Sequence, residues 1–133
     1  MKHFTIEELS RSDKAKRMGM SNVPPKEQEE NLVALVDSVL DPLREAYGSP
    51  IYVNSGYRSV GLNELIKGAK NSQHTKGEAA DITTGSTTDN EKLFNMIIEL
   101  QLPFDQLINE NNFSWLHVSH KSKGRNRKQI LYL

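Results

Sequence analysis

The stretch Ser72 to Thr83, "SQHTKGEAADIT", carries one histidine, His74, and ends on a carboxylate, Asp81, set in small residues. A loop running past Gly77 into the strand after it can fold both side chains onto one metal ion. A third ligand must then come from elsewhere, and "SWLHVSH" offers His117. Two histidines and one carboxylate make a zinc set compatible with catalysis, because three protein ligands leave the fourth position open for water. Residue types alone leave a second reading open. A histidine in a strand also serves as a hydrogen-bonded core or surface residue, and this open spacing lacks the specificity of H-E-x-x-H. His120 follows His117 by three positions, which in a strand places the two on opposite faces. His117, between Leu116 and Val118, is the one expected to face the site, and His120 is expected at a solvent-facing strand edge. By the same parity Glu78 should point away from Asp81.

The elements that must position these groups follow from local patterns. Thr5 with Glu8 forms a capping box for a short first helix. Lys14 to Lys26, with Pro24 and Pro25, reads as a connecting loop that Met18 and Met20 could pin to the core. From Lys26 to Tyr47, the residues Leu32, Leu35, Val36, Val39, Leu40 and Leu43 recur at three and four, the stripe of an amphipathic helix. Pro42 removes one hydrogen bond and should kink that helix, and Gly48 stops it. "PIYVN" predicts a short strand feeding "SGYRSVGLNELI", in which Gly56 permits a sharp loop and Arg58 sits at a strand end before a helix over Val60 to Ile66. "AADITT" reads as a buried strand. Thr88 with Glu91 suggests a second capping box for a helix to Leu100. Strands are expected over Phe104–Glu110 and Trp115–Ser119, joined by a hairpin turn, and "QILYL" should close a run of antiparallel strands. Helices first, then strands interleaved with a helix, argue for an α+β fold.

Composition bounds the possibilities. At 133 residues, with 36% hydrophobic and 26% charged side chains, the chain fits a single domain, 1–133. Seventeen basic residues balance seventeen acidic ones, so no global field directs it toward nucleic acid or an anionic membrane. "KSKGRNRK" lacks interleaved aromatics and reads as a solvated basic loop rather than a nucleic-acid surface. The absence of cysteine removes disulfides, thiolate zinc clusters and cysteine nucleophiles. The N-terminal residues show no apolar segment of the secretory type, and no window approaches the ~20 apolar residues of a membrane span. These features suggest synthesis in the cytoplasm without a signal peptide and no membrane partner.

Taken in order, "SGYRS", "SQHTKGEAADI" and "WLHVS" resemble the zinc D-alanyl-D-alanine carboxypeptidase family, which shares its fold with the hedgehog signalling domain. The resemblance spans about Ile51 to Ser119. It implies a small, mainly antiparallel sheet with helices packed on one side, and one Zn2+ held by His74, Asp81 and His117. It also implies that Tyr57 and Arg58 contact substrate, Arg58 by binding a carboxylate or polarising a carbonyl, and that Ser72 and Gln73 line the same cleft. An Arg fork suits a carboxylate, and an amide suits peptide groups. Many members carry a catalytic glutamate three residues before the last zinc histidine, where this chain has Ser114. Serine cannot act as the base, so the role passes to Glu110 on the preceding strand, as in the hedgehog-like branch, with Asp105 in reserve. The expected function is hydrolysis of amide bonds in peptidoglycan stem peptides by attack of zinc-bound water, as a D-Ala-D-Ala carboxypeptidase or a stem endopeptidase. The expected form is a monomer working at the cell wall or periplasm after release or delivery, as phage lysis enzymes do. The alternative is a non-catalytic zinc- or peptide-binding module with the same fold.

Overall fold

A computed structural model describes residues 1–133. Its organising element is a five-stranded sheet in the order β1-β2-β4-β3-β5, formed by Tyr52–Ser55, Ala79–Thr83, Gln106–Glu110, Trp115–Ser119 and Gln129–Tyr132 in chain order. Neighbours pair antiparallel except β3 with β5, which run parallel. The closing strand therefore differs from the expected antiparallel run. It joins the sheet edge beside β3, and Ile130, Tyr132 and Leu133 stay substantially exposed instead of being buried.

Alternation along the strands separates two faces. Ala80, Ile82, Leu107, Leu116 and Val118 share one core cluster with residues of the helices. The opposite face carries Ser55, Asp81, His117, Ile108 and Leu131, one row of directly paired residues crossing all five strands. A bulge in β1 between Val53 and Ser55 brings Ser55 opposite Asp81. No helix is long and apolar enough to cross a membrane.

The amphipathic stretch forms α3 (Lys26–Leu35), a π-helical turn (Val36–Leu40) and α4 (Asp41–Tyr47) without interruption. All six stripe residues, Leu32 to Leu43, are fully buried. Each such side chain contributes roughly 1.5–3 kcal/mol by leaving water. The disturbance expected at Pro42 takes the form of a π-helical turn directly ahead of it. The turn ahead of it widens, and the Asp41 N–H donates to Val36 O, five residues back, so the proline's missing donor falls at a point where the ladder has already shifted. Gly48 ends α4 at φ 79°, a conformation that costs glycine little.

The first helix, α1 (Ile6–Ser10), has the expected capping box, with Thr5 accepting from the Glu8 N–H and Glu8 from the Thr5 N–H. Within the stretch expected as loop, Ser12 caps a one-turn helix, α2 (Asp13–Arg17). The helix after β1 is α5 (Val60–Leu65), capped by Ser59. The cap of α6 (Thr87–Glu99) is Ser86, not Thr88, because Gly85 at φ 91° turns the chain one step earlier and aims the Ser86 hydroxyl at the Asp89 N–H. Between β3 and β4 the turn passes through Asn111, Asn112 and Phe113, all at positive φ. Asn109, on the core face, accepts from the Phe113 N–H at 2.6 Å and fixes that turn.

Candidate metal centre

His74 comes from a 3-10 turn, Gln73–Lys76, whose N-terminus is capped by the Ser72 hydroxyl and whose end is turned by Gly77 at φ 72°. Asp81 lies in the middle of β2 and His117 directly opposite it in β4. One ligand atom from each of the three lies within 4.8 Å of the others, a grouping that can hold a metal ion. His74 is buried, and Asp81 and His117 are largely so.

The hydrogen-bonding pattern tests whether a cation belongs there. His74 Nδ1 is 2.7 Å from Gly56 O, and a carbonyl only accepts, so Nδ1 carries the proton. The other ring nitrogen, Nε2, faces Asp81 Oδ1, 3.3 Å away. That contact needs a positive charge between the two, supplied by a second proton on the ring or by a metal ion in the proton's place. His117 Nδ1 approaches the same oxygen at 3.0 Å. Burial alone would push the Asp81 carboxyl up, but its contacts with His117 and His74 outweigh burial and hold it ionised, well below the usual carboxylate range. Nitrogen and oxygen donors in this number fit zinc with a position left open.

Arg58 stands beside the trio. Its Nη2 is 4.0 Å from Asp81 Oδ2, its Nη1 donates to Asn63 Oδ1 at 3.1 Å, and its backbone N–H donates to His74 O. Burial draws its pKa down and Asp81 draws it back up. Asn63, inside α5, in turn donates to Ala69 O, so the helix holds the guanidinium in place. Two buried side-chain atoms find no partner, Arg58 Nε and Gln73 Oε1. One is a donor and the other an acceptor, and they come from the two segments that flank the trio.

The other residues picked out in the sequence fall as follows. A groove of about 440 Å³ includes Ser72, Gln73, His117 and Ile108, which places Ser72 and Gln73 beside a member of the trio. Tyr57 joins the core cluster and lines a different cavity, of about 620 Å³, which meets the site at Arg58 and at Ser55, the residue paired with Asp81. Glu110 ends β3 opposite Trp115 and lies on the same sheet face as Ile108 and His117. Glu78 is held by the Gln73 amide at 3.3 Å. His120 is buried rather than solvent-facing, because its ring is held by Pro103 O at 2.6 Å.

Asp105 is not available as a reserve base. It is fully buried, accepts from Arg127 Nε at 3.0 Å and Nη2 at 2.8 Å, and takes the Arg127 backbone N–H as well. The Arg127 fork holds its carboxyl at about 2. A carboxyl depressed in the folded state adds stability that is present above its unfolded value, about 3.9, and is lost as pH falls through the folded one. Arg127→Ala is therefore expected to move acid unfolding to higher pH, read as the midpoint of near-ultraviolet circular dichroism against pH. An unmoved acid limb would show that the pair does not act on stability.

Sequence reasoning missed Asn63, the Gly56 carbonyl and the Asp105–Arg127 pair. Asn63 alone left a trace, as a polar residue among the apolar positions of a short helix.

A family model described as Peptidase M15 matches residues 2–119. The chain belongs to the peptidase M15 family, and its fold and donor set are those of a zinc metallopeptidase domain. A protein named zinc D-Ala-D-Ala carboxypeptidase, from Streptomyces albus G, is 50% identical over 48 residues, which is 35% of this chain. That match spans 19% of the relative's own length.

Proposed function

We propose that this chain hydrolyses amide bonds in peptidoglycan stem peptides, as a D-Ala-D-Ala carboxypeptidase or a stem endopeptidase, with zinc held by His74, Asp81 and His117. The observation that carries the reading is the convergence of His74 Nε2 and His117 Nδ1 on Asp81 Oδ1, a grouping that can hold a metal ion, with Glu110 on the same sheet face. Zinc in that set supplies a Lewis acid for a carbonyl oxygen and for water at neutral pH. The relative's printed name and the family support the substrate class.

The chain's own residues supply the rest. His74 keeps its ligand orientation through Gly56 O, which fixes the tautomer. Arg58, held by Asn63 beside Asp81, presents a guanidinium suited to a substrate carbonyl or carboxylate. Gln73 lines the groove beside His117. Glu110 is two pairs along the ladder from the Ile108–His117 pair, on the same face, and such diagonal neighbours lie about 7–8 Å apart, within reach of a glutamate. Its carboxylate takes a proton from the attacking water and returns it to the leaving amine. Residues 1–133 work as one catalytic unit, monomeric, at the cell wall or periplasm.

Mass spectrometry of fragments from defined stem peptides, with and without a chelator, tests the reading. The expected result is one released fragment whose mass identifies the bond cut, and its disappearance when the metal is withdrawn and return when zinc is added. A zinc-loaded protein that releases nothing would leave the non-catalytic binding module as the better account.

A further inference from the structure

The stretch expected as a connecting loop ahead of α3 reaches the site through one side chain, Asn22, to which the catalytic reading gives no part. Its amide donates to Ser10 O at 2.7 Å and to Tyr57 O at 3.0 Å, and its Oδ1 accepts from the Ser59 N–H at 2.8 Å. Carbonyls only accept and a backbone N–H only donates, so the three contacts fix which end of the amide is which. Two of them fall on Tyr57 and Ser59, the residues on either side of Arg58.

The loop that carries Arg58 depends on such help. Between the end of β1 at Ser55 and the start of α5 at Val60 it belongs to neither sheet nor helix, so its backbone polar groups must be met from other segments. Gly56 O is taken by His74 Nδ1, the Tyr57 N–H by Leu9 O, and the Arg58 N–H by His74 O. Tyr57 O and the Ser59 N–H are left to Asn22. Ser59 in turn caps α5, its hydroxyl accepting from the Leu62 N–H at 3.1 Å, and that helix supplies Asn63, whose Oδ1 accepts from Arg58 Nη1. Met20 packs on Gly61 in the first turn of the same helix. Arg58 is thus held at both ends, its backbone by Asn22 directly and its guanidinium by a helix that Asn22 anchors at the cap.

We infer that Asn22 is a positioning residue for the reaction, setting the place of the Arg58 guanidinium beside Asp81 and acting on substrate through Arg58 rather than through the metal. The inference rests on the peptidase reading for what Arg58 does. It gives the segment ahead of α3 a share in catalysis that its distance from the three motifs hides.

The test joins a spectroscopic measurement to a double-mutant cycle. In ¹⁵N-labelled protein, relaxation of the Arg58 Nε–H reports whether the guanidinium is held, and Asn22→Ala is expected to lower its order parameter to below about 0.6, the flexible range. Hydrolysis of a stem peptide is then compared among the zinc-loaded unchanged chain, Asn22→Ala, Arg58→Ala and the double variant, with zinc content measured for each. Asn22→Ala should lower kcat/KM about 10- to 100-fold with zinc content unchanged, the scale of a misplaced contact group. In the Arg58→Ala background the same change should cost less than about twofold, because the group it positions is gone. Asn22→Ser, which keeps a hydroxyl able to accept from Ser59, is expected to recover part of the loss, and it carries the comparison should the alanine variant not fold. Equal losses in both backgrounds, or an Arg58 Nε–H as ordered as before, would overturn the inference. Loss of order at Arg58 in a chain that cuts no stem peptide would keep the brace and remove the peptidase reading. Hydrolysis that Asn22→Ala leaves undiminished would do the reverse.

Discussion

Glu110→Gln is expected to lower kcat by about 10²- to 10⁴-fold, the range removed with a general base, while zinc content and thermal unfolding stay as they were. The carboxamide has the same size and the same place at the end of β3, yet cannot take a proton from water. Glu110 is half-buried opposite Trp115 and shares the sheet face of the trio. Of the other acids considered, Asp105 is enclosed by Arg127 and Glu78 is held by Gln73. Steady-state hydrolysis of a stem peptide, paired with metal analysis of the same preparation, makes the measurement. A variant with undiminished kcat would remove Glu110 from the reaction. One that has also lost zinc would place its role in holding the site together.

Gly56→Ala should damage both the fold and the site. A methyl group there would collide with the Leu9 carbonyl, which is backbone and cannot swing aside. The same carbonyl accepts from the Tyr57 N–H, and Gly56 O holds His74 Nδ1, so the shift needed to relieve the collision reaches both the α1 contact and the histidine's orientation. Overpacking of this kind costs about 1–3 kcal/mol. Loss of the contact that orients a metal-binding histidine typically lowers metal affinity about 10- to 100-fold. Chemical denaturation of the metal-free protein and competition with a chromophoric chelator would separate the two effects. Gly61→Ala is the control. It meets only the flexible end of Met20, at 3.1 Å, and is expected to change stability by less than about 1 kcal/mol. Equal behaviour of the two variants would mean that the approach of Leu9 to Gly56 carries no energetic weight.

How much of this could be read from sequence depended on whether the cause was local. Strand parity was enough to separate His117 from His120, because the period of two is set by the backbone itself, whereas Glu110 was reached through the resemblance and the hairpin that returns its strand to His117. The buried stripe from Leu32 to Leu43 was legible for the same reason, through the helical period. The response of the helix to Pro42 was not. A missing donor does not by itself foretell a widened turn, in which Val36, Val39 and Leu40 all stay buried in the core. Nor could the pairing of Asp105 with Arg127 be read, since it joins residues 22 apart through the parallel docking of β5. Arg127, two residues before β5, reaches the groove beside His117 through that same docking, and had no signature in the motifs around it.

Ser55, Asp81, His117, Ile108 and Leu131 form a single rung across the sheet, and that rung has a bearing on how the protein assembles. If β2 or β4 slipped by one residue, Asp81 or His117 would turn to the helix side and its neighbour would take its place. Such a molecule would turn Ala80 and Ile82, or Leu116 and Val118, out of the core, and it would have only two of the three donors. The donor trio thus works as a proofreader of strand pairing, and the fraction of refolded protein that retains zinc through dialysis counts the molecules whose strands are in the correct register.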